Sequence, residues 1–381
     1  MGAMETRERD YTSAYTFLRM WRRRHRPYGR GMQHGSRQPF AGPAAGPVPA
    51  GSTVTAAVFG AVAGHAEGGP GRADRPALID TADDRALSYA EFAAVVPAAA
   101  AGLARRGVRT GDVAAVYVSC TRQLALAVHA FTAAGAVPMP IPRAGITSAD
   151  ELAAVLTAYQ ARMLITAPPL GGLALDATDR SYVRQVFAFG DVPGATPFGE
   201  LLRGGGPAPR IDPERDHALI QPRLASGKSA RAAESGGAGG AAGDAGGTAE
   251  GAGRERLTHA DRLAHLDRLA AALPIERGEV LVGVSTGCPT ATWVGLIDVA
   301  LLSGATFVAV TRPGPARLPR AIETYDAALA VVAPVTLRAL AREEVGPPRP
   351  GRPARLLVTG PAPEDVVLAC RRHGWSVEIL G

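Results

Sequence analysis

From residue 54 onward, short apolar runs alternate with stretches of helical period. Ser88 and Glu91, three residues apart, form a capping box that predicts an alanine-rich helix ending near Gly107. A strand is predicted over Val113–Val118, a helix through Leu124–Ala134 and a strand over Val137–Ile141. Ser148 with Glu151 gives a second capping box, and Met163–Thr166 and Val186–Phe189 are further strands. After residue 256 the alternation resumes. Thr258 caps a helix through Leu273, followed by a strand over Val280–Val284, a helix over Val294–Leu302 and a strand over Thr306–Val310. A helix to Tyr325, the strand Leu329–Val332 and a helix from Pro334 to Arg342 come next. The strand Arg355–Thr359, a helix to His373 and the strand Ser376–Leu380 complete the pattern. Strand–helix alternation of this kind indicates an α/β protein with mostly parallel pairing.

Two segments break the pattern. Residues 1–53 carry nine arginines and three acids within the first 40 positions, then a Pro/Gly/Ala stretch, and are expected to be a disordered basic leader. Within Ser235–Gly253, 15 of 19 residues are Gly or Ala without periodicity, which predicts a linker rather than an element. The expected organisation is therefore a leader (1–53), a first α/β subdomain (54–222), a loop and linker (223–256) and a second α/β subdomain (257–381).

Composition narrows the function classes. Apolar residues make up 46% of the 381, enough for a sizeable core. The net charge is +6, but lysine occurs once, at Lys228, among 41 basic residues. Arginine, alanine, glycine and proline rise together, as in a GC-rich coding sequence, so the charge does not point to nucleic acid. The longest apolar runs, Leu124–Pro142 and Thr292–Val310, are broken by prolines, His129, Asp298 and glycines, so no membrane span is expected. Three scattered cysteines, Cys120, Cys288 and Cys370, exclude a disulfide scaffold or zinc ribbon and favour a reducing, cytoplasmic setting.

Local motifs give two leads. Ser226-Gly227-Lys228-Ser229 resembles the end of a phosphate-binding loop, although Pro222 stands where the Walker pattern needs glycine. Gly283-Val284-Ser285-Thr286-Gly287 fits a nucleophile elbow between a strand and a helix, which would make Ser285 an esterase nucleophile. His373 is the one histidine after Ser285 that could serve as its base. His259 and His265 are six residues apart, not the four of a helical metal pair, so no metal site is expected from them.

Several stretches, in order, resemble one family. They include Leu87-Ser-Tyr-Ala-Glu-Phe92, Gly102-Leu-Ala-Arg-Arg-Gly-Val108, Ala134-Gly-Ala-Val-Pro138, Arg162-Met-Leu-Ile-Thr166, Leu257-Thr-His259 and Val358-Thr-Gly-Pro-Ala-Pro363. Together they resemble the adenylate-forming acyl-CoA synthetases, and within them the 4-coumarate–CoA ligase-like group. The resemblance implies the large N-terminal domain of such an enzyme, with stacked, mostly parallel sheets flanked by helices. It implies ATP-dependent adenylation of an aryl or acyl carboxylic acid with magnesium, then transfer of the acyl group to coenzyme A. It places Ser226, Gly227 and Lys228 at the phosphate loop, and Gly360 and Ala362 along the adenine wall.

The chain departs from the family pattern where phosphate is handled. Pro222-Arg-Leu-Ala-Ser-Gly-Lys-Ser-Ala-Arg231 stands in place of the family's Thr-Ser-Gly-Thr-Thr-Gly-x-Pro-Lys-Gly. The family's Tyr-Gly-x-Thr-Glu stretch and its C-terminal lysine have no counterpart up to Gly381. The expectation is a truncated, degenerate ligase domain that is inactive or impaired on its own, or a non-catalytic binding protein. No catalytic or metal-binding residue is assigned.

Overall fold

In the computed structural model, the described residues are 51–66, 75–206, 208–223, 256–311, 314, 316–327, 329–348 and 355–380. The leader to residue 50 and the Gly/Ala linker lie outside them. The chain divides into two units, one of residues 1–98, 120–126 and 263–381, the other of residues 99–119 and 127–262.

The first unit is built on a seven-stranded sheet in the order β14-β13-β12-β10-β11-β1-β2. Its strands are β1 (Pro76–Asp80), β2 (Arg85–Ser88), β10 (Val280–Val284), β11 (Thr306–Val310), β12 (Leu329–Val332), β13 (Arg355–Val358) and β14 (Ser376–Ile379). All neighbours pair in parallel except the β1–β2 hairpin. The central strands are apolar on both faces, as a parallel sheet covered on both sides requires. On one face Leu318, Ile322, Leu337, Leu340, Val367 and Cys370 close a core over Val282, Val308, Ala330 and Leu356. They come from α8 (Arg317–Tyr325), α9 (Pro334–Arg342) and α10 (Glu364–Arg372). A further helix, α7 (Thr290–Ser303), is buried continuously from Trp293 to Leu301. Trp293 meets Phe307 edge-on at 5.2 Å, and a Cβ on Gly283 would stand 2.6 Å from the Phe307 ring. Only glycine fits there. The sequence pattern does not announce α1 (Val54–Ala66), whose Val54, Val58 and Val62 are fully buried.

The second unit holds a five-stranded, all-parallel sheet in the order β4-β3-β5-β6-β7. Its strands are β3 (Val113–Tyr117), β4 (Val137–Pro140), β5 (Met163–Thr166), β6 (Gln185–Ala188) and β7 (Thr196–Pro197). Helices α4 (Ala149–Ala158) and α5 (Gly171–Thr178) cover one face through Leu152, Leu156, Ala174 and Ala177. A two-stranded antiparallel ladder, β8 (His217–Ile220) with β9 (Arg256–Thr258), precedes α6 (His259–Ala272). Two helices, α2 (Tyr89–Arg105) and α3 (Thr121–Ala133), complete the element order.

Both capping boxes form. Ser88 N–H donates to Glu91 Oε2 at 2.6 Å and Glu91 N–H to Ser88 Oγ at 3.1 Å. The Ser148–Glu151 box is likewise reciprocal. Thr258 caps α6 by the same exchange with Asp261. The α/β class and parallel sheets flanked by helices agree with the expectation from sequence.

Candidate active site

Numbered in chain order within each sheet, β11-β10-β12-β13-β14 reads 2-1-3-4-5, and so does β4-β3-β5-β6-β7. In open sheets of this order, ligands bind outside the carboxyl ends of the strands where the winding reverses. In the first unit that point lies between β10 and β12. The chain leaves β10 towards β11 on one side and leaves β12 towards β13 on the other.

The loop after β10 is Ser285–Pro289, and Ala333–Val335 follows β12. Gly287 takes φ +76°, and its missing Cβ leaves room for Val335, whose Cγ1 is 2.3 Å from where that Cβ would be. The Thr336 hydroxyl donates to the Thr286 carbonyl at 3.4 Å, tying the loop after β10 to the first turn of α9. Cys288 stands beside them. Burial pushes its thiol up to about 12, while the Thr359 hydroxyl acts in the opposite direction. The thiol is therefore neutral near pH 7. Thr359 follows β13 and leads into Gly360-Pro361-Ala362-Pro363.

The structure brings Gly360 and Ala362, two of the residues assigned from sequence, to this strand-end edge. Gly360 has φ +125° with nothing within 4 Å of an added Cβ, so one side of its backbone is open. Ala362 is half-buried against the core. Ser226, Gly227 and Lys228 lie outside the described residues. For magnesium, no group of three or more His, Cys, Asp or Glu among the described residues could hold a metal ion, so no step is assigned to one.

Ser285 follows β10 at the same edge, its backbone N–H bonded to the Val310 carbonyl at 3.2 Å and its hydroxyl 3.5 Å from that oxygen. His373 caps the C-terminus of α10, just before β14, and so lies at the amino edge of the sheet. The parallel strands separate the two residues of the esterase reading.

One group escaped the sequence reading. Asp80, at the end of β1, is fully buried. It accepts from Thr121 N–H at 2.9 Å, Ala82 N–H at 2.9 Å and the Thr311 hydroxyl at 2.8 Å. Thr311 follows β11, so the pair extends the strand-end edge beyond β10. The signal available was a polar residue closing each of two apolar runs, Pro-Ala-Leu-Ile-Asp80 and Phe-Val-Ala-Val-Thr311.

No helix among the described residues is long and apolar enough to cross a membrane. Residues 67–205 match the family model described as AMP-binding enzyme. No curated protein matches the sequence. A protein described as a long-chain-fatty-acid CoA ligase, from Rhodopseudomonas palustris, shares the fold over 87% of this chain and 75% of its own, with TM-score 0.64 and 20% identity. A long-chain-fatty-acid-CoA ligase from Archaeoglobus fulgidus does so over 85% of this chain and 63% of its own, with TM-score 0.64 and 17% identity. The N-terminal domain of FACL13 from Mycobacterium tuberculosis covers 86% of this chain and 74% of its own, with TM-score 0.63 and 14% identity. The chain thus spans less than two thirds of the Archaeoglobus protein. Its fold is that of the N-terminal domain of adenylate-forming enzymes, and the match to the AMP-binding enzyme family model is confined to residues 67–205.

Proposed function

We propose that this chain is the large domain of an AMP-forming acid–thiol ligase, of the 4-coumarate–CoA ligase-like group. The ancestral reaction joins an aryl or acyl carboxylic acid to AMP from ATP, with magnesium, and passes the acyl group to coenzyme A. The observation that carries this reading is the family match over residues 67–205, supported by the fold around it. The β10/β12 crevice would hold the adenylate, with Gly360 and Ala362 along the adenine and the neutral Cys288 thiol and Val335 towards the acyl group. Ser226, Gly227 and Lys228 would face the phosphates.

Turnover by this chain alone is proposed to be low. The phosphate loop depends on backbone N–H groups freed by glycines and on hydroxyl donors, and Pro222–Arg231 supplies few of either. Losing one well-placed donor typically costs about 10²–10³ in rate. A non-catalytic binding role for the same crevice is the second reading, and that departure favours it. The free cysteines support a reducing, cytoplasmic setting, and neither nucleic acid nor membrane is proposed as a partner.

Two measurements test the reading. A non-hydrolysable acyl-adenylate analogue should bind saturably in calorimetry, and Gly360→Val should abolish the binding. Acid-dependent pyrophosphate exchange separates a ligase from a binder. Failure of every aryl and fatty acyl analogue to bind would overturn both.

A further inference from the structure

The β10/β12 crevice has a closed floor on both faces of its sheet. The last residues of β10 to β13 are Val284, Val310, Val332 and Val358, and all four lie in the core beneath α8, α9 and α10. None is more than 6% exposed. On the other face Gly283 has no side chain, and two rings take the space. An added Cβ would stand 2.6 Å from the Phe307 ring and 2.9 Å from the Trp293 ring. The Trp293 N–H donates to the Pro289 carbonyl at 2.8 Å, so the loop after β10 leads directly into the ring that fills this gap.

A methylene chain is wider than a water molecule, so a channel that holds one keeps its walls open to water. Phe307 is 0% exposed and Trp293 5%, which is the burial of a packed interior rather than of a channel wall. Above this floor Val335 stands 45% exposed beside the Gly287 loop, an apolar surface at the mouth of the crevice.

We propose that the crevice selects compact carboxylic acids, a single aromatic ring or a short aliphatic chain seated on Val335, and that Trp293 denies a long acyl chain a path beneath β10. This inference deepens the ligase reading and rests on it. Each methylene taken out of water improves binding by roughly fourfold. A long chain without a channel leaves its distal methylenes in water and gains nothing from them.

The test uses the full chain in calorimetry with benzoyl-, butanoyl-, octanoyl- and dodecanoyl-sulfamoyl adenosine. The benzoyl and butanoyl compounds should bind saturably, and the octanoyl and dodecanoyl affinities should differ by less than about threefold. A buried channel would separate those two by about a hundredfold or more, through the methylenes that distinguish them, and that result overturns the proposal. Val335→Ala should weaken the benzoyl compound by about threefold or more, and binding equal to the parent's would overturn the seat on Val335. Trp293→Ala, which opens the floor, should bind the dodecanoyl compound about tenfold or more tighter than the parent does. Circular dichroism checks that this variant folds, with Trp293→Leu as the milder replacement if it does not. A folded variant whose dodecanoyl affinity is unchanged would overturn the role of Trp293. Failure of every compound to bind the parent is a different result, since it removes the ligase reading itself.

Discussion

Val335 occupies the space that a side chain on Gly287 would need, 2.3 Å from the position of its Cβ. Gly287 also holds φ +76°, a left-handed conformation that costs other residues about 1–2 kcal/mol. Gly287→Ala should therefore lower stability in urea unfolding by about 1–3 kcal/mol. Adding Val335→Ala should restore the part due to contact and leave the part due to φ. Equal stability of the single and double variants would show that Val335 does not crowd this loop.

Cys288 should be a poor nucleophile despite its place in the crevice. Its thiol is pushed up to about 12, and burial likewise raises Cys120 to about 11. The thiolate is the reactive form. Alkylation by iodoacetamide at pH 8 should be slow at both cysteines in the folded protein and fast after denaturation. Rapid labelling of folded Cys288, located by mass spectrometry, would contradict its half-buried, neutral state.

Acid should loosen the second unit through His259. Burial and then Arg262 lower its pKa from 6.5 to about 4, with Asp216 opposing. Above pH 6.5 neither the folded nor the unfolded chain holds the proton, and stability is full. Between 6.5 and about 4 the unfolded chain takes up a proton that the folded one refuses, so stability falls. Below about 4 the loss is complete, and it amounts to about 3 kcal/mol. His65 in the first unit shifts in the same direction, also mainly by burial. His259→Gln should flatten the melting curve against pH over this window. A variant with the same pH dependence as the parent would remove His259 from the account.

Asp80 holds three donors from three segments, so its loss should be felt at the strand ends. Asp80→Asn keeps the shape but turns an amide N–H₂ towards at least one of the donors. A cost of about 1–3 kcal/mol is expected. Thr311→Val leaves the two backbone N–H donors in place and should cost about 1 kcal/mol. Comparable losses in the two variants would mean that the Thr311 hydroxyl is the dominant partner.

Local signals carried far in this chain, and long-range ones did not. The boxes at Ser88 and Ser148 were legible because both partners lie three residues apart. Met163–Thr166, Val280–Val284, Thr306–Val310 and Leu329–Val332 were legible because strands buried on both faces are uninterrupted apolar runs. Helix α1 was hidden by Gly60 and Gly64, which punctuate its apolar spacing, and α5 by the Pro168-Pro169 and Gly171-Gly172 turn signals before and within it. The β1–β2 hairpin has strands of only five and four residues. At the candidate site, Gly360 and Ala362 were named from resemblance, and they follow β13 at the strand-end edge. The place of Cys288, Val335 and Thr359 around one crevice was not, because it follows from strand order, which no local pattern encodes.

Strand order also bears on synthesis. The five strands β10 to β14 follow one another within residues 280–379, but β11 is flanked on its far side by β1, paired Leu78 to Phe307. Without β1, the buried run Thr-Phe-Val-Ala-Val would be a bare edge, apolar, uncharged and free of proline, the kind of edge that seeds aggregation. The hairpin that covers it ends on β2, where Arg85 and the neighbouring Asp83 and Asp84 put charge at the sheet's outer rim. That hairpin leaves the ribosome more than 200 residues before β11, a wait of roughly 10–40 s at 5–20 residues per second. Throughout that interval β1 presents Ala-Leu-Ile to whatever is nearby. Nascent chains of this protein should therefore need a chaperone most between the emergence of residue 88 and that of residue 310, and a ribosome stalled in that window would display the most adhesive form of the chain.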